Sequence, residues 1–352
     1  MKICLLNDSH FGVRNDHRIF QESQTRFFRD QFFPYIDKHG IRTLIHLGDL
    51  VDRRKYINYQ SGQVLRKELI DPLYQRAMDC HWLIGNHDTT FKATNELNAQ
   101  RELYSHSKLF HKNYIYENPA EVEIGGCKML FLPWICDANE AQSIHMIEHS
   151  TASTVMGHLQ LIGFEHQKGG HMETEGLQPS MFARFDRVIT GHFHTRMTRG
   201  NISYLGCQYE MTWADCDDPK GFHVFDTETK KLDFIYNPDC MFFKDYYDET
   251  KVDLQALDFS RLKGRFVRVI VLNKTDQYKF DKYQAFLEAK EPFDLKVIDH
   301  DVGIQIDDET LIEAEDTLTI LQKTVEQTPT ECNKPMLVAY LTTLHNKAVS
   351  ME

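Results

Sequence analysis

Asp8-Ser9-His10, Gly48-Asp49-Leu50-Val51-Asp52, Gly85-Asn86-His87-Asp88, Gly157-His158 and Gly191-His192-Phe193-His194 each close a run of apolar residues. Together they offer carboxylates, imidazoles and an amide oxygen, a mixture that two adjacent hard or borderline divalent cations accept. No cysteine stands among them, which disfavours soft-metal and structural zinc sites. Two cations about 3.5–4 Å apart acidify a shared water and clamp phosphoryl oxygens, so the chemistry indicated is phosphoester hydrolysis. One such block recurs by chance in many proteins; the ordered set is far more specific.

The elements that must position these blocks are strands. Ile3–Asn7, Thr43–Leu47, Trp82–Ile84, Ser153–Met156 and Val188–Thr190 read as strand-like runs, each directly before one block. Helical stretches alternate with them, from about Asp16 to Lys38, near Gly62–Met78 and around Asn139–Glu148. That alternation predicts α/β layers around a largely buried sheet, with ligands beyond the carboxyl ends of the strands. From Ile202 the pattern turns to short strands, with Gly221–Asp226 and Leu232–Tyr236 as a hairpin.

Turn-rich Tyr236-Asn237-Pro238-Asp239 predicts a boundary, giving a first domain over 1–240. A small α/β unit follows over 241–303, with strands at Phe266–Leu272 and Leu295–Ile298 and a helix at Lys282–Lys290. Residues 304–352 read as two helices. Leu311, Ala314, Leu318, Leu321 and Val325 form a heptad-like stripe on the first, and Leu337, Leu341, Leu344 and Ala348 a similar one on the second.

The 352 residues have ordinary globular composition, and no apolar run approaches the roughly 20 residues of a membrane span. The N-terminus turns polar at Asn7, too early for a signal peptide, so a cytoplasmic protein without membrane attachment is expected. Eight scattered cysteines without a CxxC pair read as reduced thiols. A formal charge of −12 argues against a generically nucleic-acid-binding surface, although residues 305–352 alone carry nine acidic against three basic side chains. Arg14, Arg53, Arg54, Lys92 and Arg196 lie close in sequence to the metal motifs and are compatible with a local anion-binding face; were the substrate DNA they would be its candidate contacts, where point charges position a backbone without reading sequence.

The order D-x-H, G-D-x-x-D, G-N-H-D, G-H and G-H-x-H resembles that of the calcineurin-like metallophosphoesterases. The resemblance implies an α/β/β/α layered sandwich, capped by the small α/β domain and followed by the C-terminal helical segment. It places Asp8, His10, Asp49 and His194 on one metal and Asp49, Asn86, His158 and His192 on the other, with Asp49 bridging. It makes His87 the histidine that faces the scissile phosphate and Asp52 the acid that orients it. Lys2–Gly12, Gly48–Lys55, Gly85–Asp88, Leu132-Pro133-Trp134 and Gly191–His194 further resemble the nuclease subunits of SbcCD-type repair complexes, and the regions around Gly163-Phe164 and from Gly221-Phe222 to Thr229 those of the T-even phage recombination endonucleases. That implies manganese, with magnesium as the alternative, and cleavage of DNA as a duplex exonuclease and single-strand endonuclease. It also implies a homodimer within a heterotetramer containing an SMC-like coiled-coil ATPase, docked by residues 304–352. For a phage-encoded chain the compartment is the host cytoplasm.

Two other readings stand beside this one. Gly48-Asp49-Leu50-Val51-Asp52-Arg53-Arg54 is also similar to the G-D-x-V-D-R-G of Ser/Thr phosphatases, so a phosphomonoesterase or small-molecule phosphodiesterase is the alternative. Those enzymes tend to place Arg before G-N-H-E, where this chain has Ile84 and Asp88. A non-catalytic scaffold is disfavoured, because every expected ligand position is filled.

Overall fold

A computed structural model describes residues 1–105, 112–165, 170–252 and 261–299, with scattered positions between 325 and 341. Two compact units emerge, Met1–His300 and Asp301–Glu352. In the second, Val325 and positions within 334–341 are helical. Most of the predicted apolar stripes there, including Leu311, Leu318 and Leu344, lies outside the described residues.

The first unit is built on two six-stranded sheets. One runs β12-β11-β1-β2-β3-β4, from β1 (Lys2–Leu6), β2 (Thr43–Leu47), β3 (Asp79–Leu83), β4 (Asn113–Tyr116), β11 (Gly221–Asp226) and β12 (Leu232–Tyr236). The other runs β5-β6-β7-β8-β10-β9, from β5 (Ala120–Ile124), β6 (Cys127–Leu132), β7 (Thr154–His158), β8 (Arg187–Gly191), β9 (Met197–Arg199) and β10 (Ile202–Tyr204). β1, β2, β3 and β4 are parallel, as are β6, β7 and β8.

Period-2 alternation along these strands sorts their side chains into layers. Ile3, Leu5, Ile45 and Leu47 meet Met129, Phe131, Met156 and Ile189 between the sheets. Cys4, Leu6 and Leu44 turn outward, onto the helical stretches 18–38 and 59–75. Leu130, Leu132, Val155 and Val188 face the helix Glu140–His149 through Ile147. The expected α/β/β/α sandwich is the result.

Element boundaries differ locally from the sequence reading. The first long helix starts at Arg18 and not Asp16, because Arg14, Asn15 and Asp16 take left-handed backbone. Its middle, Phe27–Phe32, widens to a π-helix that buries Phe27, Phe28 and Phe32. β4 carries no clear alternation of apolar residues, whereas β5 alternates as Ala-Glu-Val-Glu-Ile and was overlooked; both lie at sheet edges.

The small sheet is parallel, ordered β13 (Phe242–Asp248), β14 (Phe266–Asn273) and β15 (Asp294–Asp299), with the helix Gln277–Glu288 packed on Val267, Val269 and Tyr247. It is joined firmly to the sandwich. Phe20 packs on Phe242 and Phe266, and buried Glu210 accepts the N–H groups of Met241 (2.5 Å) and Phe242 (2.8 Å). Among the described residues six cysteines are buried as free thiols and Cys240 is half-buried. Among the described residues no helix is long and apolar enough to cross a membrane.

Candidate metal centre

Parallel strands in both sheets point their carboxyl ends to one rim, and the five blocks leave from there. The turns are tight. Asp8, His10, Asp49 and His192 all have positive φ, a conformation that costs a non-glycine residue roughly 1–3 kcal/mol and concentrates at functional sites. Two glycines permit the close approach. A Cβ on Gly85 would fall on the Asp49 carboxylate and backbone nitrogen, and one on Gly191 would lie 2.8 Å from Asp8 Oδ2.

Among the described residues three groups gather donor atoms closely enough to hold a cation: Asp8, His10 and His194; His10, Asp49 and His87; Asp49, His158 and His192. Asp49 is central. Its Oδ2 lies 3.7 Å from His10 Nε2 and 3.3 Å from His158 Nε2. Asn86 Oδ1 is 3.0 Å from both His158 Nε2 and His192 Nδ1. All seven residues expected as ligands are thus brought together.

The electrostatics fit the same donor set. Burial opposes protonation of His10, but Asp52, Asp49 and Asp8 outweigh it and raise the imidazolium to about 9. His158 is likewise raised to about 9, against burial, chiefly by Asp49. Burial and then the charge of His10 push His194 down to about 3. His10 Nε2 and His194 Nε2 lie 3.2 Å apart and converge with the Asp8 carboxylate, an arrangement that a cation satisfies. Burial alone would raise Asp49, yet His158, His87 and His10 hold its carboxyl well below the usual carboxylate range. Burial lifts Asp8 to about 6, with His158 opposing.

Outer contacts fix which imidazole nitrogen faces inward, as metal-site histidines require. His158 Nδ1–H donates to the Leu47 carbonyl at 2.8 Å, leaving Nε2 for the centre. His10 Nδ1 lies 3.3 Å from Asp52 Oδ1. Asp52 thus faces two histidines: its carboxylate lies against His10, and its backbone carbonyl accepts from His87 Nδ1–H at 2.6 Å. The His87 N–H also donates to Asp49 Oδ1 at 2.8 Å.

Two supporting groups were missed by sequence reasoning. Asp88, noted only as an acid that departs from the phosphatase pattern, is buried and accepts the N–H groups of Asp49, Leu50, Val51 and Gly85 at 2.8–3.2 Å. Lys220, buried between Asp215 (2.7 Å) and Asp218 (2.8 Å), donates to the His194 carbonyl at 2.8 Å. An acid three places after the glycine of a tight turn, within reach of that turn's own N–H groups, was the available signal for Asp88. Nothing local marks Lys220.

The candidate DNA contacts diverge. Arg53 is occupied by Asp16 at 2.9 Å and Asn15 at 2.9 Å, and Arg14 Nε donates to the Met211 carbonyl at 2.9 Å. Arg196 is exposed and lies over the Phe234 ring at 4.3 Å. Lys92 is exposed, and Arg54 is half-buried beside the metal rim.

Residues 1–196 match the calcineurin-like phosphoesterase family. The chain is 32% identical over 352 residues to exonuclease subunit 1 of Enterobacteria phage T4, covering 99% of each chain. It is 21% identical over 259 residues to an SbcCD nuclease subunit of Staphylococcus saprophyticus, covering 66% of this chain and 67% of that one. A solved archaeal phosphodiesterase aligns with 67% of this chain and 100% of its own at 14% identity, with a TM-score of 0.33.

Proposed function

We propose that this chain, which belongs to the calcineurin-like phosphoesterase family and is a metal-dependent phosphoesterase, is a two-metal DNA nuclease of a recombination and repair complex. The observation that carries the reading is the end-to-end identity with a phage exonuclease subunit, which extends through the small α/β unit and the C-terminal region as well as the catalytic sandwich.

Asp8, His10, Asp49 and His194 would hold one cation and Asp49, Asn86, His158 and His192 the other. The oxygen and imidazole donors suit manganese, with magnesium as the alternative. When bound, the pair supplies an activated water and neutralises charge on the phosphoryl oxygens. Asp49, fixed by Asp88, sets the position shared by both halves. His87 has its Nδ1–H committed to the Asp52 carbonyl, so Nε2 is the atom left to give a proton to the leaving oxygen. Asp52, through its carboxylate, keeps His10 Nε2 turned to the centre.

Two relatives are named as subunits, which supports a partner for this chain; we propose a homodimer within a heterotetramer with an SMC-like ATPase, docked through residues 304–352. Deleting 307–352 should spare basal cleavage and abolish co-purification with that ATPase; a truncated chain that still retains it places docking elsewhere. The reaction itself is tested by incubation with Mn²⁺ and end-labelled duplex and single-stranded DNA beside a generic phosphomonoester. Cleavage of DNA is expected. Hydrolysis of the phosphomonoester alone would replace this reading by the phosphatase one.

A further inference from the structure

Beside the metal rim lies a cavity of about 250 Å³ whose walls include Val51, Arg54, Tyr56, Ile57, Leu97 and Leu103. Its location ties it to the catalytic centre. Val51 and Arg53 flank Asp52, whose carbonyl holds His87, and Thr90, also in the lining, follows Asp88 by two residues. The volume falls below the roughly 300–1,000 Å³ of pockets for drug-sized ligands, which favours one ring system over a larger ligand.

The lining has two characters. Tyr56, Ile57, Leu97 and Leu103 give an apolar wall with one aromatic face, and Arg53 lies over the Tyr56 ring at 5.1 Å, holding it. Arg53, Arg54 and Lys55 bring three cations against a single acid, Glu102. Arg53 is engaged by Asp16, but one guanidinium nitrogen of Arg54 is buried with no hydrogen-bond partner. An unpaired buried donor is costly, and an incoming acceptor relieves that cost. Burial lowers the Arg54 guanidinium, and the Asp49 carboxylate partly restores it.

We infer that this cavity receives one unstacked nucleobase of the strand held at the metal centre, with Arg54 donating to the acceptor edge of the base or to its phosphate. Every base has a π face and hydrogen-bond acceptors, so an apolar slot with an aromatic wall and a cation takes any of them. The inference rests on the nuclease reading for the source of the base, but the site itself can be judged separately.

The test uses the full chain and two filling variants, Leu103→Trp and Leu97→Trp, both at partly exposed positions that tolerate a larger side chain. With Mn²⁺, a single-stranded oligonucleotide carrying 2-aminopurine should be cleaved with a KM raised about tenfold in either variant. The fluorescence change on binding should also disappear. Bound metal, read by metal analysis of the purified variants, should be unaltered, which separates filling of the cavity from damage to the centre. An unchanged oligonucleotide KM in both variants overturns the inference. Should the wild-type chain cleave no DNA, the nuclease reading falls. Calorimetric titration with deoxyadenosine monophosphate in the absence of metal then decides the cavity: binding lost in Leu103→Trp sustains it, and equal or absent binding in wild type and variant rejects it.

Discussion

The Asp88 carboxylate receives the backbone N–H of Asp49 at 2.9 Å, across 39 residues of sequence. Further bonds from Leu50, Val51 and Gly85 make it the anchor of two strand-end turns at once. Asp49 can therefore hold its left-handed backbone and present its carboxylate at the centre. Asp88→Asn replaces an acceptor with an amide that turns donors toward donors. It should destabilise the chain by roughly 2–4 kcal/mol in denaturant unfolding and weaken Mn²⁺ binding about tenfold in a metal titration. Wild-type values in both measurements would remove Asp88 from this role.

Gly85 is needed for space, since its φ is not positive. Gly85→Ala should displace Asp49 and cost about 1–3 kcal/mol, with loss of bound Mn²⁺ read by metal analysis of purified protein. Retention of two equivalents of metal would show that the turn can shift without moving the carboxylate.

His87 and Asp49 separate proton transfer from metal binding. His87→Asn should keep its metal content while DNA cleavage falls about 100- to 10,000-fold. Asp49→Asn should lose metal and activity together. Both variants should retain the far-ultraviolet circular dichroism of wild type. Undiminished cleavage by either variant would sink the assigned mechanism.

Glu210 makes the junction with the small unit depend on pH. Burial raises its carboxyl to about 7, with the N–H groups of Phe242 and Met241 opposing. Because the folded value lies above the unfolded one, its contribution to stability is complete below about 4.5 and is lost as pH rises through about 7. Both N–H groups bond to one oxygen, Oε2, so glutamine can keep them. Glu210→Gln should flatten the stability profile between pH 5 and 8 and leave the variant more stable than wild type at pH 8. A profile with unchanged slope would locate the titration elsewhere.

Much of the centre was legible because metal chemistry constrains residue type, and a parallel sheet constrains place. Asp8, His10, Asp49, Asn86, His158, His192 and His194 each follow an apolar run, and a strand ending there must deliver them to the carboxyl rim. The strands Thr43–Leu47, Gly221–Asp226 and Leu232–Tyr236 could be read to the residue from β-branched, aromatic and turn composition. β13, by contrast, was hidden in Phe-Phe-Lys-Asp-Tyr-Tyr-Asp, which pairs in parallel with β14 through contacts that no local pattern announces.

By itself, then, the sequence determined which groups could meet a cation pair and at the ends of which strands they stand. Only the tertiary structure decided which atoms of those groups are used. Asp52 gives His87 a carbonyl and His10 a carboxylate because its N–H is tied to the Phe11 carbonyl at 3.1 Å, which fixes the direction of the turn. Asp88, Lys220 and Arg54 gained their places in the same way, from turns and cavities closed by residues distant in the chain. Residue type limits what a side chain can do, but hydrogen-bond partners between distant segments are set only when the sheets pack.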